Sequence, residues 1–218
     1  MSPLMPKESD FKNIIFDFGG VLMDHNLEGC LQAFRRFMSD ADIEHILGLG
    51  NKIPSTLRAK FETKSWNCPQ WFVEQVLSHS RTGTTEQQVI DAWNCMHAGI
   101  SSDKWQRIKR LRSKGNRIYL LSNTDKIHWE HTMALYQDYF EQLFDAIFLS
   151  FNYEKAKPDP SIFKDVDRAI HANPRQTYFV DDSAENRVAA EQSVGWIGCA
   201  DFDELEAMLH TTANLNNQ

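Results

Sequence analysis

Four short stretches of this chain carry residue types that could do chemistry together. Phe16-Asp17-Phe18-Gly19-Gly20 ends the apolar run Ile14–Phe16 in a carboxylate and follows it with paired glycines. Leu121-Ser122-Asn123-Thr124 ends another apolar run in a hydroxyl and an amide. Lys157-Pro158-Asp159-Pro160 offers an amine, and Phe179-Val180-Asp181-Asp182 ends a third apolar run in paired carboxylates. Carboxylates suit a hard cation such as Mg2+, which keeps several waters and binds through one or two carboxylates plus phosphate. A carboxylate can also act as a nucleophile. A lysine and a hydroxyl suit the non-bridging oxygens of a phosphoryl group as its charge shifts. Taken alone, the first stretch also reads as a strand ending in a turn, with Asp17 bonding its own backbone. Gathered at one sheet edge, the four stretches form a chemical set.

The positioning elements follow from the pattern around these stretches. Ile14–Phe16, Ile118–Leu121, Ala146–Leu149, Thr177–Val180 and Trp196–Cys199 read as short strands buried on both faces, as in a parallel sheet. Helices are expected between them. One is capped by Ser102, carries Trp105, Ile108 and Leu111, and ends near Gly115; another runs from about Asp125 to Gln137. A third enters through Pro160 and runs to about Ile170, a fourth spans Ala184 to Ser193, and a last one starts at Asp203. Strands alternating with helices predict an α/β fold with a parallel sheet covered on both faces. Ligands of such sheets bind outside the carboxyl ends of the strands, where Asp17, Ser122 and Asp181-Asp182 fall.

Residues 26–97 break the alternation and read as helical pieces. Asn26 is an expected N-cap, with Leu27, Leu31, Phe34, Phe37 and Met38 at helical spacing after it. Pro69 opens a segment carrying Trp71, Phe72, Val76 and Leu77. Thr85 with Gln88 reads as a capping box before Val89, Ile90, Trp93 and Met96. The expected division is a core from 11–25 and 98–211, with a helical insertion at 26–97. Its aromatic stripe reads as core packing.

The totals exclude several classes. The chain has 218 residues, 42% hydrophobic and 24% charged, and a net charge of -7 without any basic stripe, so nucleic acid is not an expected partner. No apolar run is long enough to span a bilayer, and Met1–Asp10 has no signal-like apolar segment; a cytoplasmic location is expected. Cys30, Cys68, Cys95 and Cys199 form no CxxC pair and read as buried free thiols. His128 and His131 read as a solvated helix face, and Thr211–Gln218 as a frayed polar tail. Gly48-Leu49-Gly50 is too short for a dinucleotide loop, and neither a P-loop nor a GxSxG elbow occurs.

In order and spacing, the four stretches resemble the motifs of the haloacid dehalogenase-like hydrolases. The match is carried by Phe16-Asp-Phe-Gly-Gly-Val-Leu22, Leu121-Ser-Asn-Thr124, Lys157-Pro-Asp-Pro160 and Phe179-Val-Asp-Asp-Ser-Ala-Glu-Asn186. The resemblance implies a Rossmann-like three-layer α/β core with a helical cap inserted between the first and second motifs. It implies Asp17 as nucleophile, with Ser122, Asn123 and Lys157 at the phosphoryl group. Mg2+ would be held by Asp17, Asp182 and the Gly19 carbonyl, with Asp181 and Asn186 as ligand or support. The implied activity is Mg2+-dependent hydrolysis of a small phosphorylated metabolite, with sugar phosphates as one class. A 2-haloacid dehalogenase and a binding protein with weakened turnover are the alternatives.

The sequence departs from that pattern at one position. Phosphatases of the family usually carry an aspartate two residues after the nucleophile, which protonates the leaving group; this chain has Gly19. Such a loss removes a factor of about 10² to 10⁴ unless another group substitutes. Asp24, His25 or a cap residue are the candidates.

Overall fold

The computed structural model describes residues 11–48, 56–63 and 68–215. Expectations for Met1–Asp10, for Leu49-Gly50 and for 216–218 lie outside them.

The chain enters through β1 (Asn13–Phe16) and a tight loop to β2 (Asp24–His25). The helices α1 (Leu27–Phe34), α2 (Asp40–Asp42), α3 (Thr56–Thr63), α4 (Cys68–Leu77) and α5 (Glu86–Asn94) follow, with a π-helical turn at Ile43–Leu47. β3 (His97–Gly99) returns beside β2, antiparallel. The alternating part comprises α6 (Ser102–Ser113), β4 (Arg117–Ser122), α7 (Lys126–Leu143), β5 (Ala146–Leu149), α8 (Ser150–Tyr153), α9 (Pro160–Ile170), β6 (Thr177–Val180), α10 (Ala184–Val194), β7 (Ile197–Cys199) and α11 (Phe202–Leu215).

The main sheet is parallel and five-stranded, in the order β5-β4-β1-β6-β7. Side-chain alternation along each strand divides the core into two layers. Ile14 and Phe16, with Ile118, Leu120, Tyr178 and Val180, pack on one face against Trp105, Ile108, Phe140, Leu143, Phe202 and Leu205 from α6, α7 and α11. Ile15, Tyr119, Leu121 and Phe179 pack on the other against Ile162, Phe163, Val166 and Ile170 of α9 and Ala190 of α10. Each such large side chain contributes about 1.5–3 kcal/mol on full burial. The result is the expected three-layer α/β architecture, with β1 at its centre.

Residues of α1, α3, α4 and α5 bury a separate cluster that includes Phe34, Phe61, Phe72 and Trp93, joined from α7 by Ile127. Phe61 and Phe72 stack with ring centroids 4.3 Å apart. The Thr85–Gln88 capping box is formed, and Asn26 caps α1 through the Gly29 amide.

Several local expectations need correction. α1 stops at Phe34, so Phe37 and Met38 reach the buried cluster from the turn beyond it, and Leu27 is exposed. The N-cap of α6 is Ser101 rather than Ser102, its hydroxyl accepting from the Lys104 amide. α7 runs past Gln137 to Leu143, because Phe140 and Leu143 anchor its polar second half to the core. α11 continues through the expected tail to Leu215. Cys30 and Cys199 are buried and outside any disulfide among the described residues, but Cys95 is exposed. No helix among the described residues is long and apolar enough to cross a membrane.

Candidate active site

Asp17 extends β1 by one residue, its amide donating to the Val180 carbonyl at 2.7 Å. Asp181 likewise extends β6, its amide donating to the Cys199 carbonyl at 3.0 Å. Neighbouring strands therefore deliver two carboxylates to the carboxyl edge of the sheet. Lys157 reaches between them from the loop before α9. Its Nζ lies 2.7 Å from Asp17 Oδ1 and 2.6 Å from Asp181 Oδ2, with no exposed surface on the lysine side chain.

Each member is held from behind. Asn123 grips the Lys157 backbone at both ends: its Nδ2 donates to the Lys157 carbonyl and its Oδ1 accepts from the Lys157 amide, each at 2.8 Å. The Asn123 side-chain amide thus ties the second motif to the third. Asp181 accepts from the Ser183 amide at 2.9 Å and from Asn186 Nδ2 at 3.0 and 3.1 Å. Arg187 NH1 holds the Asp181 and Asp182 carbonyls at 2.6 and 3.1 Å. Asp17 Oδ1 accepts from the Phe18 amide at 2.6 Å.

Burial pushes the Asp17 carboxyl above the usual carboxylate range; the Lys157 ammonium opposes that rise and Asp181 adds to it. For Lys157, burial works to lower the pKa, but the facing carboxylates outweigh it and hold the amine protonated. A charged lysine between two carboxylates leaves the cluster short of positive charge.

Asp17, Asp181 and the exposed Asp182 can each offer an oxygen, and these oxygens all lie within 4.8 Å of one another. This all-oxygen set fits a hard dication. Gly20 makes the grouping possible. It has φ +76°, and a methyl group there would collide with the Asp182 carboxylate. Ser122 Oγ is buried and has no hydrogen-bond partner among the described residues. An orphaned buried hydroxyl at the sheet edge that also carries a buried ammonium fits an incoming anion oxygen. Ser122, Lys157, Asp17, Asp181 and Asp182 are thus placed at one sheet edge, with Gly19 in the loop that follows Asp17.

A second polar cluster was misread from sequence. His128 is buried, not solvated. Its Nδ1 lies 3.0 Å from Asp125 Oδ2, and its Nε2 is 2.9 Å from the Trp93 carbonyl. Trp93 Nε1 also donates to Asp125 at 2.9 Å, linking α5 to α7. The His97 ring stacks on His128 at 4.2 Å. The only sequence signal was Asp125 three residues ahead of His128.

A parallel α/β core with a carboxylate–lysine–carboxylate cluster at its carboxyl edge defines a class of hydrolase cores. The chain belongs to the haloacid dehalogenase-like hydrolases, whose family model matches residues 11–193. It is 28% identical over 184 residues to a D-ribitol-5-phosphate phosphatase of Bacteroides thetaiotaomicron, covering 80% of this chain and 84% of that one. It is 27% identical over 199 residues to the sesquiterpene phosphatase astK of Aspergillus oryzae, covering 89% and 92%. Its fold matches a haloacid dehalogenase family enzyme of Bacteroides thetaiotaomicron, an alanine variant crystallised with magnesium and inorganic phosphate. That match has a TM-score of 0.79 and 28% identity, covering 87% of this chain and 93% of the other.

Proposed function

We propose that this protein is a Mg2+-dependent phosphatase of small phosphate monoesters, working through an aspartyl phosphate on Asp17, with residues 26–97 as a cap over a core of 11–25 and 98–211. The observation that carries the reading is the Asp17–Lys157–Asp181 cluster at the sheet edge where β4 also ends, in the orphaned Ser122 hydroxyl. Likeness to named phosphatases, and to a solved relative holding magnesium and phosphate, supports it. A polyol or sugar phosphate is the favoured substrate class, from the ribitol phosphate relative.

In this reading Asp17 presents a carboxylate oxygen to phosphorus. The Lys157 ammonium and the Ser122 hydroxyl hold the non-bridging oxygens and take up charge as it spreads over them. Asp182, Asp17 and the Gly19 carbonyl, with Asp181 and its partner Asn186 behind them, would hold Mg2+, which supplies further charge neutralisation at the phosphoryl group. Asn123 keeps Lys157 in place. A haloacid would bring its own carboxylate against Asp17, Asp181 and the exposed Asp182, and this charge clash favours the phosphatase over the dehalogenase.

The test is hydrolysis of an aryl phosphate. Release of phosphate should need Mg2+ and vanish in Asp17→Asn. Turnover of a 2-haloacid without metal, and none of the phosphate ester, would favour the dehalogenase instead.

A further inference from the structure

Residue 19 lacks a side chain, and the space that one would enter is filled from elsewhere. A methyl group placed on Gly19 would sit 2.5 Å from His25 Nε2 and 2.9 Å from His25 Cε1. Those separations are comparable to the reach of a carboxylate oxygen from an aspartate Cβ. The His25 ring therefore stands within the space that a carboxylate at residue 19 would use. Gly19 is not among the glycines with positive φ, so the His25 ring, not the backbone, is the obstacle to an aspartate there.

Local geometry separates His25 from the neighbouring candidate: the register of β2 on β3 shifts between Asp24 and His25, and the two side chains meet different neighbours. Asp24 points to α6, where its Oδ1 accepts from Lys104 Nζ at 2.7 Å; the same ammonium donates to the Leu22 carbonyl at 3.0 Å. His25 turns towards Gly19 and stays exposed. Its backbone is fixed by pairing with His97 across β2 and β3.

We infer that His25 meets the leaving-group oxygen, donating a hydrogen bond from Nε2–H as the ester bond breaks; this rests on the phosphatase reading above. The Asp17 oxygen forms its bond to phosphorus, and the bond from phosphorus to the ester oxygen breaks with its electron pair staying on that oxygen. The oxygen accepts the hydrogen bond from His25 and takes a proton from water, leaving hydroxide. Hydroxide then attacks the phosphorus of the aspartyl phosphate, giving inorganic phosphate and restoring the Asp17 carboxylate. A donor in this place matters most when the leaving oxygen carries most charge, as in esters of weakly acidic alcohols.

The experiment measures kcat and KM with Mg2+ for a graded series of phosphate esters, from aryl to simple alkyl. It compares the wild type with His25→Ala, His25→Gln, Gly19→Ala and the Gly19→Ala/His25→Ala double variant. His25→Ala should lose about 10²-fold in kcat on alkyl esters and less than about tenfold on aryl esters. His25→Gln keeps an N–H donor and should recover part of the alkyl loss. Gly19→Ala should displace the ring and reproduce the steeper dependence, with the double variant little worse than either single one. A loss that is uniform across the series, no loss at all, or fully additive losses would overturn the inference. If His25→Ala proves insoluble, Gly19→Ala and His25→Gln carry the same comparison. A wild type that turns over no ester in an Asp17-dependent way would bring down the phosphatase reading itself, and this inference with it.

Discussion

Lys157 has no side-chain exposure and touches two carboxylates, so its removal should act on stability and activity together. Lys157→Ala leaves Asp17 and Asp181 facing each other without a cation. Breaking a buried pair in this way costs about 3–5 kcal/mol. Denaturant titration should show that loss, and phosphate ester turnover should fall by at least about 10²-fold. Asp182→Ala should behave differently, because Asp182 is exposed and, among the described residues, held by no such pair. Its turnover should recover in part with excess Mg2+, whereas Lys157→Ala should not be fully restored. The reverse pattern would exchange the two roles. These residues were legible in sequence because each sits at a strand end or just ahead of a helix. Choosing between Asp24 and His25 was not possible there: the choice depends on where each side chain points in a two-residue strand whose register on β3 shifts between them.

At the scale of elements, α5, α7 and the β2–β3 pair meet around the buried His128 and half-buried His97 imidazoles. Burial lowers the His97 pKa from 6.5 to about 3, aided by the adjacent His128, His25 and His131 and opposed by Asp125. The folded state thus binds fewer protons than the unfolded chain between those values, so stability declines as pH falls through that window. The slope from this group is about 1.4 kcal/mol per pH unit. His128 works in the opposite sense. Burial disfavours its charge, but Asp125 outweighs that and raises its pKa, so its contribution is present at low pH and lost as pH rises through the folded value. Urea titrations at successive pH values between about 6.5 and 4 should show the His97 slope in the wild type and a shallower one in His97→Gln. Equal slopes would contradict the assignment. The sheet strands were readable as apolar runs, whereas β2 and β3 were missed because they are short, polar and exposed or half-buried. His128 was misread for a related reason: its partner Trp93 lies 35 residues away, and no local pattern announces it.

On the scale of the whole molecule, the strand-edge carboxylates and the buried lysine are, in the proposed reading, a preorganised anion and cation site within a chain of net charge -7. Mg2+ with inorganic phosphate should stabilise the folded chain by linkage, by about 2.7 kcal/mol at a hundredfold excess over the dissociation constant. Thermal unfolding with and without both ions reads this directly, and Asp182→Ala should lose most of the shift. The order of the main-sheet strands and the helices between them was legible, since each strand of the parallel core is a short apolar run. The substrate class was not, because nothing local in 26–97 says which side chains face the cleft.

The central claim is that Asp17 carries the phosphoryl group during turnover. The direct measurement is an acid quench of the protein turning over an aryl phosphate with Mg2+, followed by borohydride reduction and mass spectrometry of the peptide containing Asp17. An acyl phosphate is reduced to an alcohol, so the account predicts homoserine at position 17, absent without substrate or without Mg2+. Phosphate turnover with residue 17 recovered unchanged, or with the covalent phosphate on another side chain, would contradict it.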